Sequence, residues 1–138
     1  MKKLIIFDLD NTFYDYDKSH NLAIKKVYKN QKIFDSFDNF IESYEKTKNI
    51  VHNTLKESPS KHSKLIYLKK LFWNRLNLIE ISKLENIYWE EFINSMDVDL
   101  EAIELLKKKQ NKNTEYFLFT NQNLHIQLRK IEKWDLDF

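Results

Sequence analysis

The sequence predicts an α/β protein in which a partial, Rossmann-like parallel sheet carries an all-helical cap inserted after strand 1. Two short apolar runs, at residues 3–9 and 116–119, have the continuous hydrophobicity of buried parallel strands. Between them, nearly every stretch shows the three- and four-residue apolar spacing of amphipathic helices. Parallel strands need a crossover connection, which a helix predicted at residues 99–109 supplies. The expected order is strand, five helices, strand and helix.

Helix boundaries are predicted from capping residues and from breaks in the apolar pattern. A first helix is expected to start at Ser19 or His20, and a second to cover residues 36–57. The capping-box sequence SKLE, from Ser82 to Glu85, is expected to open the fourth. The remaining predicted features are a third helix with apolar positions from Leu65 to Leu76, Asp99 as the N-cap of the fifth, and a last helix at residues 123–133.

The composition excludes several classes of function. The net charge is +2 and only two of the 23 basic residues are arginine, which gives little support to nucleic-acid binding. The lack of cysteine excludes disulfides, thiolate catalysis and cysteine-based zinc sites, and the lack of glycine excludes a glycine-rich phosphate loop. No run reaches the roughly 18 apolar residues of a membrane span, and the first apolar run is too short for a signal peptide. We therefore expect a cytoplasmic protein with no membrane partner.

Polar side chains follow both predicted strands. Asp8, Asp10 and Thr12 follow the first, and Thr120 and Asn121 follow the second. The carboxyl ends of parallel strands meet at one edge of a sheet, where open α/β sheets bind their ligands. Mg²⁺ would relieve the repulsion between the two carboxylates, one of which could attack phosphorus while the other moves a proton. The threonines and the asparagine could donate hydrogen bonds to phosphate oxygens.

Each of these residues also has a structural interpretation. Asp8 and Asp10 could cap the turn after the strand, and Thr120 with its neighbour could cap the last helix. The four histidines do not show metal-ligand spacing, so capping or exposed roles are expected for them. Tyr14 and Tyr16, just beyond the first motif, are candidates for a cap hinge or for substrate contacts. The pairing of the two motifs favours the functional interpretation.

The motif FDLDNT, followed by a helical insertion and then FLFTN, resembles the haloacid dehalogenase-like (HAD) superfamily of phosphohydrolases. The longer stretches FDLDNTFYDYDKSHNLAI and FTNQNLHIQLRKIEKWDLDF are similar to its helical-cap group (subfamily I), which includes nucleotide and sugar-phosphate phosphatases. The resemblance covers essentially the whole chain. It implies an incomplete HAD-like core at residues 1–16 and 97–138, and a helical cap at residues 17–96.

This resemblance also implies a chemistry for the two motifs. Asp8 would be the nucleophile that forms an aspartyl-phosphate, and Asp10 the general acid and base. Mg²⁺ would be held by the Asp8 carboxylate and the Asp10 backbone carbonyl, and Thr120 with Asn121 would hold the transferred phosphoryl group. The implied function is a Mg²⁺-dependent phosphatase that acts on a small phosphomonoester, a nucleotide or sugar phosphate.

The chain departs from the family pattern in its last part. The family places a phosphate-stabilising lysine and a second acidic pair well beyond the second strand, and this chain ends at Phe138. Asp135 and Asp137 follow the last helix, and Lys130 and Lys133 are expected to point away from the site. A C-terminally truncated, catalytically incomplete fragment or pseudoenzyme, serving as a binding or assembly module, therefore remains an alternative, as does one half of a split enzyme. We expect the short sheet to self-associate or to be completed by a partner chain.

Two turn positions differ as well. Family members often have glycine where this chain has Asn11 and Gln122. Asparagine tolerates the left-handed backbone conformation that such turns require, whereas glutamine is less suited to it.

Overall fold

The computed structural model describes residues 2–109, 113–120 and 122–135, and it confirms the predicted architecture. Two parallel strands are separated in sequence by five α-helices, and a sixth follows the second strand. In chain order the elements are β1 (Lys3–Phe7), α1 (Tyr16–Lys29), α2 (Phe37–Leu55), a 3₁₀ turn (Pro59–His62), α3 (Lys64–Leu71), α4 (Leu78–Asn94), α5 (Leu100–Lys109), β2 (Thr114–Leu118) and α6 (Leu124–Lys133). None of the helices in these ranges is long and apolar enough to cross a membrane.

The sheet consists of β1 and β2 in parallel register, with Ile6 opposite Phe117. On one face, Phe7 and Leu118 pack against a small core formed by Leu9, Phe13 and Ile103. The other face is open. Ile6 is 61% exposed and Phe117 53% exposed. The expectation of two buried strands is therefore wrong for this face, because no described element packs against it.

The larger core lies among α1 to α4 and is rich in aromatic rings. Phe40, Phe72, Tyr88 and Phe92 are each at most 1% exposed. Their rings meet neighbouring rings at centroid distances that favour edge-to-face and tilted contacts, such as 4.9 Å between Tyr88 and Trp89. The aromatic content of the sequence therefore supplies the packing of the inserted helices.

Two helices begin earlier than the sequence predicted. Asp15, and neither Ser19 nor His20, precedes α1 as its N-cap, and its side chain accepts a hydrogen bond from the Lys18 N–H. Helix α4 is opened by a capping box at Asn77 and Glu80, so the predicted box at Ser82 is wrong. Both errors have one cause: any Ser, Asp or Asn near a helix start can cap it, and packing selects among them.

Two neighbouring segments, residues 13–14 and 98–99, connect the sheet to the helices inserted between its strands. Tyr14 forms an isolated antiparallel bridge with Val98, and the Asp99 N–H donates to the Phe13 carbonyl at 2.8 Å. Asp99 caps α5 as predicted, accepting a hydrogen bond from the Ala102 N–H at 2.9 Å. These two segments lie beside the predicted boundaries between core and cap. The division into those two domains stays a prediction.

Candidate active site

The turn after β1 presents the two motif carboxylates. Asp8 is exposed, and one of its oxygens accepts a hydrogen bond from the Leu9 N–H at 2.8 Å. Leu9 is 1% exposed and anchors the turn in the small core. Asn11 has φ of 60°, the left-handed conformation expected for it, and its side chain accepts a hydrogen bond from the Tyr16 N–H at 2.8 Å. Asn11 thus supplies the left-handed residue that this turn requires.

Asp10 is the centre of a hydrogen-bonded cluster that we call the Asp10 cluster: Asp10, Tyr14, Thr120, Gln127 and Lys130. The Lys130 ammonium lies 2.6 Å from Asp10 Oδ1, and it also donates to the Tyr14 hydroxyl at 3.0 Å. The Tyr14 hydroxyl donates to the same Asp10 oxygen. Gln127 Nε2 lies 3.2 Å from Asp10 Oδ2 and 2.6 Å from Thr120 Oγ1. The ends of both strands therefore meet at one polar cluster.

The position of Lys130 differs from the predicted one, and this difference bears directly on the chemistry of the site. From the sequence we expect it to point away from the site, but its side chain is fully buried against Asp10. By apolar spacing alone, Leu124 and Leu128 would lie on the inner face of α6, yet Leu124 is 68% and Leu128 53% exposed. The inner face instead carries Ile126, Gln127 and Lys130, all buried.

A signal for this face was present in the sequence. Lys130 follows Ile126 by four residues and Gln127 by three, which are the spacings of a single helix face. The polar residues Gln127 and Lys130 hid that face because an apolar stripe is normally taken as the buried one.

The other predicted site residues have varied positions. Thr120 Oγ1 accepts hydrogen bonds from Gln127 and from the Gln122 N–H. Thr12 is exposed on the turn, where its backbone N–H donates to the Leu9 carbonyl at 3.4 Å. Asn121 lies outside the described residues, as does Asp137. Asp135 lies away from the cluster, and its carbonyl accepts a hydrogen bond from Lys107 at 2.9 Å.

Tyr14 lies just before α1, and Tyr16 is the first residue of that helix. Tyr14 is 6% exposed, and burial together with the nearby Asp10 carboxylate raises its pKa well above the ordinary value. Its hydroxyl therefore keeps its proton and acts as a donor to Asp10. Burial likewise raises the pKa of Tyr16 to about 12. Tyr16 stacks on His20 at a centroid distance of 5.9 Å. Burial lowers the pKa of the Lys130 ammonium, and the Asp10 carboxylate opposes that shift.

The donor atoms at the turn are compatible with magnesium. Mg²⁺ in phosphate-handling sites usually takes one or two carboxylates and completes its coordination with water and substrate phosphate. Asp8 offers an exposed carboxylate, while the Asp10 side chain is engaged by Lys130 and Tyr14, which leaves its backbone carbonyl as the second donor. Within the described ranges no group of three or more acidic or histidine side chains could hold a metal ion. The pair thus fits a cation that is shared with a phosphate.

Comparisons with known proteins point to one fold. No family model matches the chain. It is 25% identical to a protein named ribulose-1,5-bisphosphate 5-phosphatase from Halopiger xanaduensis. The alignment is 142 residues long and covers 99% of this chain. Its structure is similar to that of YfnB from Bacillus subtilis, described as a HAD-hydrolase and solved bound to magnesium, with a TM-score of 0.63 and 18% identity over 98% of this chain.

The chain spans 59% of the length of the first relative and 60% of the second. These likenesses confirm the resemblance predicted from the two motifs, and the fold is HAD-like.

Proposed function

We propose that this chain, whose fold is that of the haloacid dehalogenase-like phosphohydrolases, is a Mg²⁺-dependent phosphatase that acts through an aspartyl-phosphate on Asp8. The observation that carries the proposal is the Asp10 cluster. A buried ammonium, a tyrosine hydroxyl and an amide all bind one carboxylate, two residues from an exposed second carboxylate. Structural acids at the end of a strand do not need such a set of donors. A carboxyl group that moves a proton does, because its position must be fixed.

In the proposed reaction, an Asp8 oxygen attacks phosphorus and the ester P–O bond breaks. Asp10, which enters this step in its protonated form, donates its proton to the departing alkoxide and becomes a carboxylate. The Asp10 carboxylate then takes a proton from water, which attacks the aspartyl-phosphate, releases inorganic phosphate and restores both side chains. Lys130, Tyr14 and Gln127 hold Asp10 in place.

Mg²⁺, held by the Asp8 carboxylate and the Asp10 carbonyl, would supply positive charge to the phosphoryl oxygens. Thr120 is the donor assigned to the transferred phosphoryl group, and Asn121 is assigned there from the sequence. Thr12 remains a further predicted donor.

The substrate class follows from the relative. That protein is named for a sugar bisphosphate, which favours a sugar phosphate over a nucleotide as the small phosphomonoester. Tyr14 and Tyr16 remain candidates for hinge or substrate contacts, and a cytoplasmic location remains a prediction from the sequence.

The alternative is a chain that works as one part of a larger assembly. Two observations favour this: the chain spans about three-fifths of its relatives, and one face of its sheet is open. In that case the Asp10 cluster is one half of a site that a second copy or another polypeptide completes. The position of Lys130 weighs against a pseudoenzyme that lacks any cation at the site.

The proposal is tested by phosphate release from p-nitrophenyl phosphate with Mg²⁺ and with EDTA. We expect turnover that needs Mg²⁺ and falls at least about 10³-fold in Asp8→Asn, since the nucleophile is lost. Asp38→Asn is the matched control, because Asp38 is an exposed acid in the first turn of α2. Its activity should equal that of the unaltered chain. Turnover that survives Asp8→Asn, or that EDTA leaves unchanged, would overturn the proposal.

A further inference from the structure

We propose that Lys64 and the cavity beside it form a second anion-binding subsite, which takes the remote phosphate of a small bisphosphate. This inference rests on the proposed function and deepens it, since it names the class of substrate. One phosphoryl group would be cleaved at Asp8, and the other would be held by Lys64. The relative from Halopiger xanaduensis is named for a bisphosphate, and Lys64 with its cavity offers groups that would bind a second phosphate here.

Lys64 is a lysine that is buried among aromatic rings. It is 6% exposed, and in the described part of the chain no acidic side chain lies within ion-pair distance of it. Its ammonium instead lies over the rings of Tyr16, Tyr67 and Tyr88, at 5.9, 5.1 and 5.4 Å from their centroids. Aromatic faces compensate a cation only partly, so an anionic ligand would stabilise the charged form of Lys64.

A cavity of about 230 Å³ lies against this lysine. It is smaller than the roughly 300–1,000 Å³ of pockets for drug-sized ligands, which suits the phosphorylated end of a small metabolite. Three segments meet around it: the 3₁₀ turn with the start of α3, the middle of α4, and the start of α6. Its lining includes Ser63, Lys64, Glu85, Trp89, Asn123 and Ile126. The single carboxylate among them, on Glu85, accepts a hydrogen bond from Trp89 Nε1 at 2.7 Å.

Two helix N-termini reinforce the charge of Lys64. Ser63 is the N-cap of α3 and Asn123 is the N-cap of α6, and both residues line the cavity. The first turns of helices carry unpaired backbone N–H groups and the positive end of the helix dipole, which attract phosphate. A buried ammonium and two such helix ends at one cavity favour an anion.

The cavity adjoins the Asp10 cluster across an aromatic wall of α4. Lys64 faces this wall at Tyr88, while the Lys130 ammonium lies 5.9 Å from the ring of Trp89 and 5.2 Å from that of Phe92. Trp89 lines the cavity as well. A ligand with one phosphoryl group at Asp8 and the other at Lys64 would therefore lie beside this wall.

Binding of a phosphate at this subsite should change the protonation state of Lys64, which can be measured. Burial, chiefly, together with the charges of Lys48 and Lys130, lowers the pKa of Lys64 to about 7, and Glu45 and Asp10 oppose the shift. The other titratable groups near it are His20, His52, His62, Tyr16, Tyr67 and Tyr88. Without a ligand, the amine is largely neutral at pH 8. A bound phosphate favours the ammonium, so binding should take up a proton at that pH.

The test measures binding separately from turnover. In the Asp8→Asn background, calorimetry with ribulose 1,5-bisphosphate and ribulose 5-phosphate compares Lys64→Met with the control Lys69→Met, an exposed lysine of the same helix. Lys64→Met should weaken bisphosphate binding about 10- to 100-fold and monophosphate binding less than about 3-fold, as expected for one hydrogen bond to a charged group. Proton uptake at pH 8, measured in buffers of different ionisation enthalpy, should disappear in Lys64→Met alone. Circular dichroism confirms that each variant is folded.

The outcomes separate the two proposals. If the unaltered chain shows no turnover but binds the bisphosphate through Lys64, the phosphatase proposal fails and the subsite stands. If Lys64→Met weakens both ligands equally, or if the bisphosphate binds no more tightly than the monophosphate, the subsite is overturned whatever the activity. Proton uptake that persists in Lys64→Met would also contradict it.

Discussion

Lys130 gives the site the positive charge that the sequence did not predict for it. Its ammonium is fully buried between the Asp10 carboxylate and the Tyr14 hydroxyl, with the ring of Phe92 at 5.2 Å. Burying a charge is costly unless a partner and hydrogen bonds compensate it. The ion pair between Lys130 and Asp10 therefore fixes the Asp10 side chain near the end of β1. We assign Lys130 as a positioning residue.

Replacing Lys130 should reduce catalysis more than binding. In Lys130→Met we expect kcat for Mg²⁺-dependent turnover to fall about 10²- to 10³-fold, with a smaller change in KM, because Asp10 loses its anchor and the site loses a charge. Lys130→Arg should recover part of kcat, since it restores a cation near Asp10. Steady-state kinetics of the two variants check this.

The control for that prediction is Lys133→Met, which changes an exposed lysine one turn further along the same helix. It should retain the activity of the unaltered chain. Equal loss in Lys130→Met and Lys133→Met, or no recovery in Lys130→Arg, would contradict the positioning role and leave only a contribution to folding.

Single residues also show where sequence reasoning succeeded. Asp8 and Asp10 could be found because their signal is local: a strand that ends in two acids needs only neighbouring residues to be recognised. Gln127 and Lys130 were missed although their spacing marks one helix face, because Asp10, the partner that accounts for their burial, lies more than a hundred residues earlier in the chain. Buried polar residues of this kind contradict local patterning, which is common at functional sites.

Among the helices, α4 has the most fully satisfied start. The Asn77 side chain accepts hydrogen bonds from the N–H groups of Ile79 and Glu80, both at 3.0 Å, and the Glu80 side chain accepts one from the Asn77 N–H at 2.8 Å. The box matters beyond its own turn, because α4 supplies the aromatic wall between the two buried lysines.

A pair of alanine variants decides which capping box operates. Asn77→Ala should lower the free energy of unfolding by about 1 kcal/mol, the usual cost of losing an N-cap. Ser82→Ala should change it by less than about 0.5 kcal/mol, because Ser82 is exposed inside the helix, where alanine is favourable. Urea denaturation followed by circular dichroism measures both. A larger loss in Ser82→Ala than in Asn77→Ala would refute the observed boundary.

The presence of each helix was predicted more accurately than its first and last residues. The apolar spacing identified every α-helix in the described ranges, and it placed α2, α5 and α6 to within about two residues. The starts of α1 and α4 were missed by three to five residues, since several residues nearby can cap a helix and only tertiary packing selects one. The strands differ from the predicted runs by up to two residues at an end, since β1 ends at Phe7 and β2 begins at Thr114.

At the scale of the whole molecule, the two faces of the sheet differ sharply. One face carries Phe7 and Leu118 against the small core, while the other presents Leu4, Ile6 and Phe117, each more than half exposed. Exposed apolar side chains on a sheet with unpaired edges are a typical site of association. The chain spans about three-fifths of its relatives' length, so in those proteins further residues are available to cover such a face.

We therefore predict that the 138-residue chain self-associates through this open face. Sedimentation velocity of the purified chain should show species larger than a 16.9 kDa monomer, whose fraction rises with protein concentration. Phe117→Lys should shift the distribution toward monomer, since it places a charge in the middle of the face. Ile50→Lys is the matched control: Ile50 is 49% exposed on α2, away from the sheet, and its replacement should leave the distribution unchanged. A monodisperse monomer at every concentration, or association that both variants reduce equally, would show that the open face does not drive assembly.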